Sequence, residues 1–217
     1  MKILNLYAGI GGNRKLWDQT GEHEITAVEY DPKIAAIYKD FFPNDIVIVA
    51  DAHQYLLDHY KEFDFIWGSP PCPTHSCLNT LLHAKGMDRF PDMRLYQEVI
   101  FLKHFFEGLY CIENVIPYYE PLVTPQIRGR HAFWSNFTIP PQRREPTIGS
   151  VCKTKVNNGK SNKGVNHHKL GFDISRYRGI DKMKTLNNCV PPEIGLAILQ
   201  SALGIITENS VKAGQLF

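Results

Sequence analysis

The sequence predicts a doubly wound α/β sheet with a small basic, loop-rich appendage, on three observations. Short apolar runs at residues 2–7, 24–28, 46–49 and 63–67 alternate with amphipathic stretches, and βαβ alternation of this kind calls for a parallel sheet with helices on both faces. A glycine-rich turn, Ala8-Gly9-Ile10-Gly11-Gly12, follows the first run directly. Glu29 closes the second run 20 residues after Gly9, the spacing at which an acidic side chain meets ribose hydroxyls in this class of fold.

Residues 2–7 read as the first strand. The glycine turn leads into an amphipathic stretch from residue 13 to about 19, read as a helix whose N-terminus faces a polar ligand. A dinucleotide fingerprint would want a third glycine where Arg14 stands, so nicotinamide and flavin cofactors are disfavoured. The second strand ends in Glu29-Tyr30-Asp31-Pro32. Pro32 suits the first turn of a helix to about residue 42, and Tyr30 offers an aromatic face to a planar ring. The third strand, 46–49, leads through Asp51 into a helix ending near residue 60.

The fourth strand, 63–67, runs into Gly68-Ser69-Pro70-Pro71-Cys72-Pro73-Thr74-His75-Ser76. Its prolines fix φ and push the residues before them toward extended backbone. Free cysteines most often serve as small apolar filler. Cys72, however, stands on a stiff loop just past a strand's carboxyl end, where open α/β sheets bind ligands, and this makes it a candidate nucleophile.

Residues 73–91 contain no strand signal, and a loop of that length reads as a mobile lid that carries Lys85 and Arg89. A helix over 93–108 precedes a strand at 109–112 that ends in Glu113-Asn114-Val115. Glu113 therefore falls beside the cysteine's strand. Gln126, Arg128 and Arg130 follow, the two arginines spaced to share one strand face. An aromatic strand over 133–137 and a loop-rich stretch lead to Asn188-Cys189-Val190-Pro191-Pro192, an apolar helix at 193–203 and a tail read as frayed.

The chain has 217 residues, 43% hydrophobic and 21% charged, ordinary for one globular core with an appendage. We divide it into a core at 1–139, a basic region at 140–185 and a closing segment at 186–217. The formal net charge of +2 hides a segregation. Residues 1–122 carry 10 Lys/Arg against 17 Asp/Glu, whereas residues 123–185 carry 13 against 3. A basic stretch of this kind, with Arg143, Arg144, Lys153, Lys155 and Lys163, is the footprint expected of a surface that meets phosphates. No apolar run suits a signal peptide or membrane span, so an intracellular location is expected. The five scattered cysteines argue against a disulfide framework or a structural zinc site.

In order, Tyr7 to Gly12, Glu29 with Tyr30, Pro71-Cys72 with Ser76, Glu113-Asn114-Val115, Gln126 with Arg128 and Arg130, and Asn188 to Pro192 resemble the motifs of the DNA cytosine-5 methyltransferases. The resemblance implies a Rossmann-like methyltransferase sheet that binds S-adenosylmethionine through Tyr7, Gly9, Gly11, Gly12, Glu29, Tyr30, Asp51, Pro70, Asn188 and Val190. Glu29 would meet the ribose and Asp51 the adenine amine. It further implies catalysis by Cys72, Glu113, Arg128, Arg130 and Ser76, with Cys72 adding covalently to a cytosine flipped out of double-stranded DNA. A monomer without metal, acting in protection against restriction, is the expected form. Compared with the family pattern, Tyr7 stands for a usual phenylalanine, Ser69 for a common glycine and Pro73 for a frequent glutamine, and the target-recognition region is short. Two other readings keep the fold: a catalytically silent DNA-binding or regulatory subunit, and an enzyme acting on RNA such as tRNA.

Overall fold

Seven strands form one sheet in the order β3-β2-β1-β4-β5-β7-β6, in a computed structural model that describes residues 1–141 and 170–205. β1 (Lys2–Leu6), β2 (Glu24–Glu29), β3 (Ile46–Val49), β4 (Phe65–Gly68) and β5 (Leu109–Val115) run parallel. β7 (His131–Ser135) is antiparallel to β5, and β6 (Gln126–Arg128) is antiparallel to β7. The sheet is thus mixed, where the sequence led us to a parallel one. β6 runs parallel to β5 on the far side of β7, and the two-residue turn at Gly129-Arg130, too short for a crossover, folds the chain back as β7, antiparallel to both.

Alternation along the strands divides the core between two faces. Leu4, Leu6, Ile66 and Ile112 pack with Leu56 of α2 (Ala52–His59) and with Leu95, Val99 and Leu102 of α4 (Arg94–Phe105). Ile3, Phe65, Trp67, Cys111 and Phe133 turn the other way, onto Trp17 and onto Ile198 and Leu199 of α6 (Pro192–Ala202). Helices on both faces make the sheet doubly wound. α1 (Pro32–Phe41) is capped by Asp31, which accepts a bond from the Lys33 amide. Beside α1, Leu170, Phe172 and Ile174 pack with Ile37 and with Leu186 of α5 (Lys182–Asn187).

Four local expectations change. Residues 13–20 form turns and a short 3-10 helix at Trp17–Thr20, not an α-helix. The segment is pinned from several sides: Arg14 makes a bidentate bond to buried Asp45 at 2.9 and 3.1 Å, and Trp17 Nε1 donates to the Gly195 carbonyl at 3.1 Å. The 73–91 stretch contains a helix, α3 (Leu78–His83). β5 continues through Val115, so Glu113 lies inside a strand opposite Phe133. Cys77 is disulfide-bonded, which the scattered cysteine spacing does not anticipate. No helix of the described residues is long and apolar enough to cross a membrane.

Candidate active site

A cavity of about 700 Å³ opens at the carboxyl ends of β1, β4 and β5. β2 and β3 lie to one side of β1 and β4 to the other, and such a switch in strand order is where open α/β sheets leave a crevice.

The first wall comes from the turn after β1. Tyr7 is the only described non-glycine residue at positive φ, 55°, and Gly9 and Gly11 also take left-handed conformations, at 55° and 84°, which glycine adopts at low cost. The Gly9 amide donates to Glu29 Oε2 at 2.9 Å, and a Cβ added at Gly9 would meet nothing within 4 Å, so the turn is open to a ligand there. Gly12 lines the cavity and packs closely on the following wall, since an added Cβ would lie 2.6 Å from the Val190 carbonyl. Gly11 does not line the cavity; it lies against the Phe42 and Tyr38 rings.

Glu29 Oε1 also accepts from the Asp31 amide at 3.0 Å. Tyr30, 76% exposed, stands at the rim. Asp51 caps α2 through the Gln54 amide and faces Arg94 at 3.5 Å. Pro70, Asn188 and Val190 complete this half, and Lys184 and Thr185 join them without a signal in the sequence.

The second wall carries Cys72. Its loop is tied down by Asn114 Nδ2 on the Pro70 carbonyl at 3.0 Å and by Trp67 Nε1 on Ser69 Oγ at 2.8 Å. The Cys72 carbonyl accepts from the His75 and Ser76 amides at 3.0 and 3.1 Å. Burial pushes the Cys72 thiol above its ordinary pKa and the Glu113 charge adds to this, against a backbone hydrogen bond and Arg130. Glu113 and Arg130 line the cavity with it. Glu113 Oε1 bonds His131 Nδ1 at 2.7 Å, and Arg130 Nε donates to His131 Nε2 at 3.3 Å.

Other expected site residues lie elsewhere. Gly129, at φ 59°, turns the chain between β6 and β7, so Arg128 and Arg130 do not share a strand face. The Arg128 guanidinium is spent on the Ile127, Ile139 and Pro140 carbonyls, outside the cavity lining. Ser76 Oγ accepts from the Leu78 amide at 3.3 Å at the start of α3 and does not line the cavity. Lys85 and Arg89 are exposed on the segment after α3. Arg143, Arg144, Lys153, Lys155 and Lys163 lie outside the described residues.

Sequence reasoning missed two carboxylate partnerships. Glu98 is fully buried; it accepts from the Tyr7 hydroxyl and bonds His53 Nδ1 at 2.9 Å. That hydrogen bond raises the His53 pKa. A charged residue between Leu95, Val99 and Leu102, on the buried face of a helix, is the signal that could have found Glu98. His131 had no such signal.

The fold and cavity define a doubly wound α/β protein with a ligand crevice at its switch point and a thiol, a carboxylate and a guanidinium on one wall. The model of the C-5 cytosine-specific DNA methylase family matches residues 1–115, and the chain belongs to that family. Among curated relatives, the type II methyltransferase M.Bsp6I of Bacillus sp. strain RFL6 is 26% identical over 199 residues, covering 91% of this chain and 59% of the relative. The type II methyltransferase M.NgoPII of Neisseria gonorrhoeae is 29% identical over 116 residues, covering 53% of this chain and 33% of its own. The chain thus spans between a third and three fifths of the length of these two relatives. Among solved structures, a Spodoptera frugiperda DNMT2 variant is 22% identical, with a TM-score of 0.42 over 66% of this chain and 53% of that one.

Proposed function

We propose that this protein transfers a methyl group from S-adenosylmethionine to C5 of cytosine in double-stranded DNA through a covalent Cys72 adduct. The observation that carries this reading is the convergence of Cys72, Glu113 and Arg130 on one end of a cavity whose other end is a glycine turn flanked by Glu29 and Asp51.

The residues present fit the cofactor. Gly9 leaves open space for a ligand, and the Glu29 oxygens, each holding one backbone amide, retain lone pairs for a ribose diol. Asp51 would accept from the adenine amine and Tyr30 would cover its ring. Bound there, S-adenosylmethionine supplies an electrophilic methyl group.

The chain's own residues activate the base. Cys72 sulfur adds to C6 while Glu113 gives a proton to ring N3 and Arg130 holds the carbonyl oxygen, which makes C5 electron-rich. Because the Glu113 charge raises the Cys72 pKa, a protonated Glu113 favours both the thiolate and delivery of the proton. Once C5 is methylated its proton passes to water, the electrons of that bond restore the C5–C6 double bond as the C6–S bond breaks, and Cys72 leaves as the thiolate while N3 returns its proton to Glu113. A stacked base exposes neither face to a thiol, so the target is flipped out of the helix. The acid-to-base switch in composition after residue 122 supplies the charge that phosphates require.

Incubating the protein with methyl-labelled S-adenosylmethionine and either duplex DNA or tRNA tests the reading. Label in DNA at C5 of cytosine, lost in Cys72→Ala, is expected. Label only in tRNA would change the substrate, and no transfer by a chain that binds the cofactor would favour a silent subunit.

A further inference from the structure

We propose that His131 is a positioning residue that fixes which oxygen of Glu113 carries the proton, a role that rests on the methyl-transfer reading above. His131 opens β7, opposite Val115, and Glu113 lies opposite Phe133 two residues on. Side chains two apart on a strand share a face, so the imidazole and the carboxylate lie diagonally across the β5/β7 ladder on the same side of the sheet. The Nδ1 to Oε1 separation is 2.7 Å, and both side chains are only 10% exposed. The ring is held from its flat side by Phe133, stacked at 5.9 Å between centroids and 30° between planes.

The tautomer follows from the neighbour on the far side. Arg130 Nε donates to His131 Nε2 at 3.3 Å, and a guanidinium has no acceptor, so Nε2 must be the unprotonated nitrogen. The ring proton therefore sits on Nδ1 and is donated to Oε1 of Glu113. Oε1, already accepting this bond, is the poorer place for a carboxyl proton. Among the described residues Oε2 has no hydrogen-bond partner, while Glu113, His131 and Arg130 all line the cavity.

A protonated Glu113 thus carries its proton on Oε2, the oxygen free to meet ring N3. When the proton passes to N3, the Glu113 charge that returns is met by the standing Nδ1–H bond, and His131 itself neither gains nor loses a proton. Among the described residues, the other charged or titratable groups that face the pair are Arg130, Cys72 and Cys111; burial first and then the Glu113 charge raise the pKa of both thiols.

His131→Leu keeps an apolar side chain of similar reach and removes the donor, whereas His131→Asn returns an amide N–H near the position of Nδ1. Each is compared with wild type for methyl transfer to DNA, for S-adenosylmethionine affinity by calorimetry and for thermal unfolding. The expected result is a fall in kcat of about 10- to 100-fold in His131→Leu, the range for loss of a hydrogen bond to a charged group, with cofactor affinity unchanged and much of the rate recovered in His131→Asn. A folded His131→Leu at the wild-type rate, or a folded His131→Asn as slow as His131→Leu, overturns the proposal. Nitrogen NMR of the His131 ring reads the tautomer without any turnover: a proton on Nδ1 supports the arrangement and one on Nε2 overturns it. A wild type that transfers no methyl group would instead sink the methyl-transfer reading, and the NMR result would still judge the His131 arrangement.

Discussion

At neutral pH the Cys72 thiol of the free protein holds its proton, because burial and the Glu113 charge raise its pKa against the opposing backbone hydrogen bond and Arg130. Only the thiolate reacts with an alkylating agent, so site-resolved modification of Cys72 by iodoacetamide should speed up as pH rises through and beyond the ordinary thiol range. Glu113→Gln removes a charge that raises the pKa, so the variant's Cys72 should alkylate faster than wild type at the same pH even though its methyl transfer is lost. Slower alkylation in Glu113→Gln would refute the electrostatic coupling between these two residues. Cys72 was legible in the sequence because three prolines and a preceding strand define a stiff loop. His131 was not, since its partner lies 18 residues away and becomes a neighbour only through β5/β7 pairing. Arg128 read as Arg130's companion only while Gly129 was taken as strand rather than turn.

Glu98 joins three elements, accepting from Tyr7 at the end of β1 and pairing with His53 on α2 from its own place on α4. Removing His53 deprives the fully buried Glu98 of a hydrogen-bond partner, and an unsatisfied buried polar group costs about 1–3 kcal/mol. His53→Ala should therefore destabilise the fold by that order in urea titrations. The His53 pKa is raised above its ordinary 6.5 by the Glu98 bond, so the pair's contribution is complete below that value and declines as pH rises through the folded-state pKa. The gap between wild type and variant should accordingly be wider at about pH 6 than at about pH 9; a gap that widens with pH would contradict the assignment. α6 offers a test of opposite expectation from sequence alone. Glycine in a helix normally gains about 1 kcal/mol on replacement by alanine, but a Cβ at Gly195 would lie 2.0 Å from the Asn13 carbonyl oxygen. Backbone cannot yield as a side chain can, so Gly195→Ala should destabilise by about 1–3 kcal/mol, and a raised melting temperature would disprove the close packing. The same contact helps explain why residues 13 to about 19 read as a helix in the sequence: their amphipathic pattern reports burial of Trp17 against α6, and pattern alone does not separate a helix from a pinned series of turns.

For the whole molecule, the doubly wound architecture was legible because parallel strands buried on both faces read as short apolar runs and glycine and proline punctuate them. The antiparallel edge was less so, since nothing in residues 126–135 announces strand direction. The cavity is assembled from both ends of the chain, with Tyr7 and Gly9 facing Asn188 and Val190; this closure is a property of sheet order that no local stretch contains. The central claim is that this cavity joins a covalent thiol to a cofactor cradle, and one measurement bears on it most directly. Long duplex DNA synthesised with 5-fluorocytosine throughout is incubated with the protein and S-adenosylmethionine, then run on a denaturing gel. Fluorine at C5 cannot leave as a proton, so the account predicts a stable protein–DNA adduct that maps to Cys72 and is absent in Cys72→Ala. Methyl transfer to ordinary DNA with no trapped adduct, or an adduct that persists in Cys72→Ala, would contradict it.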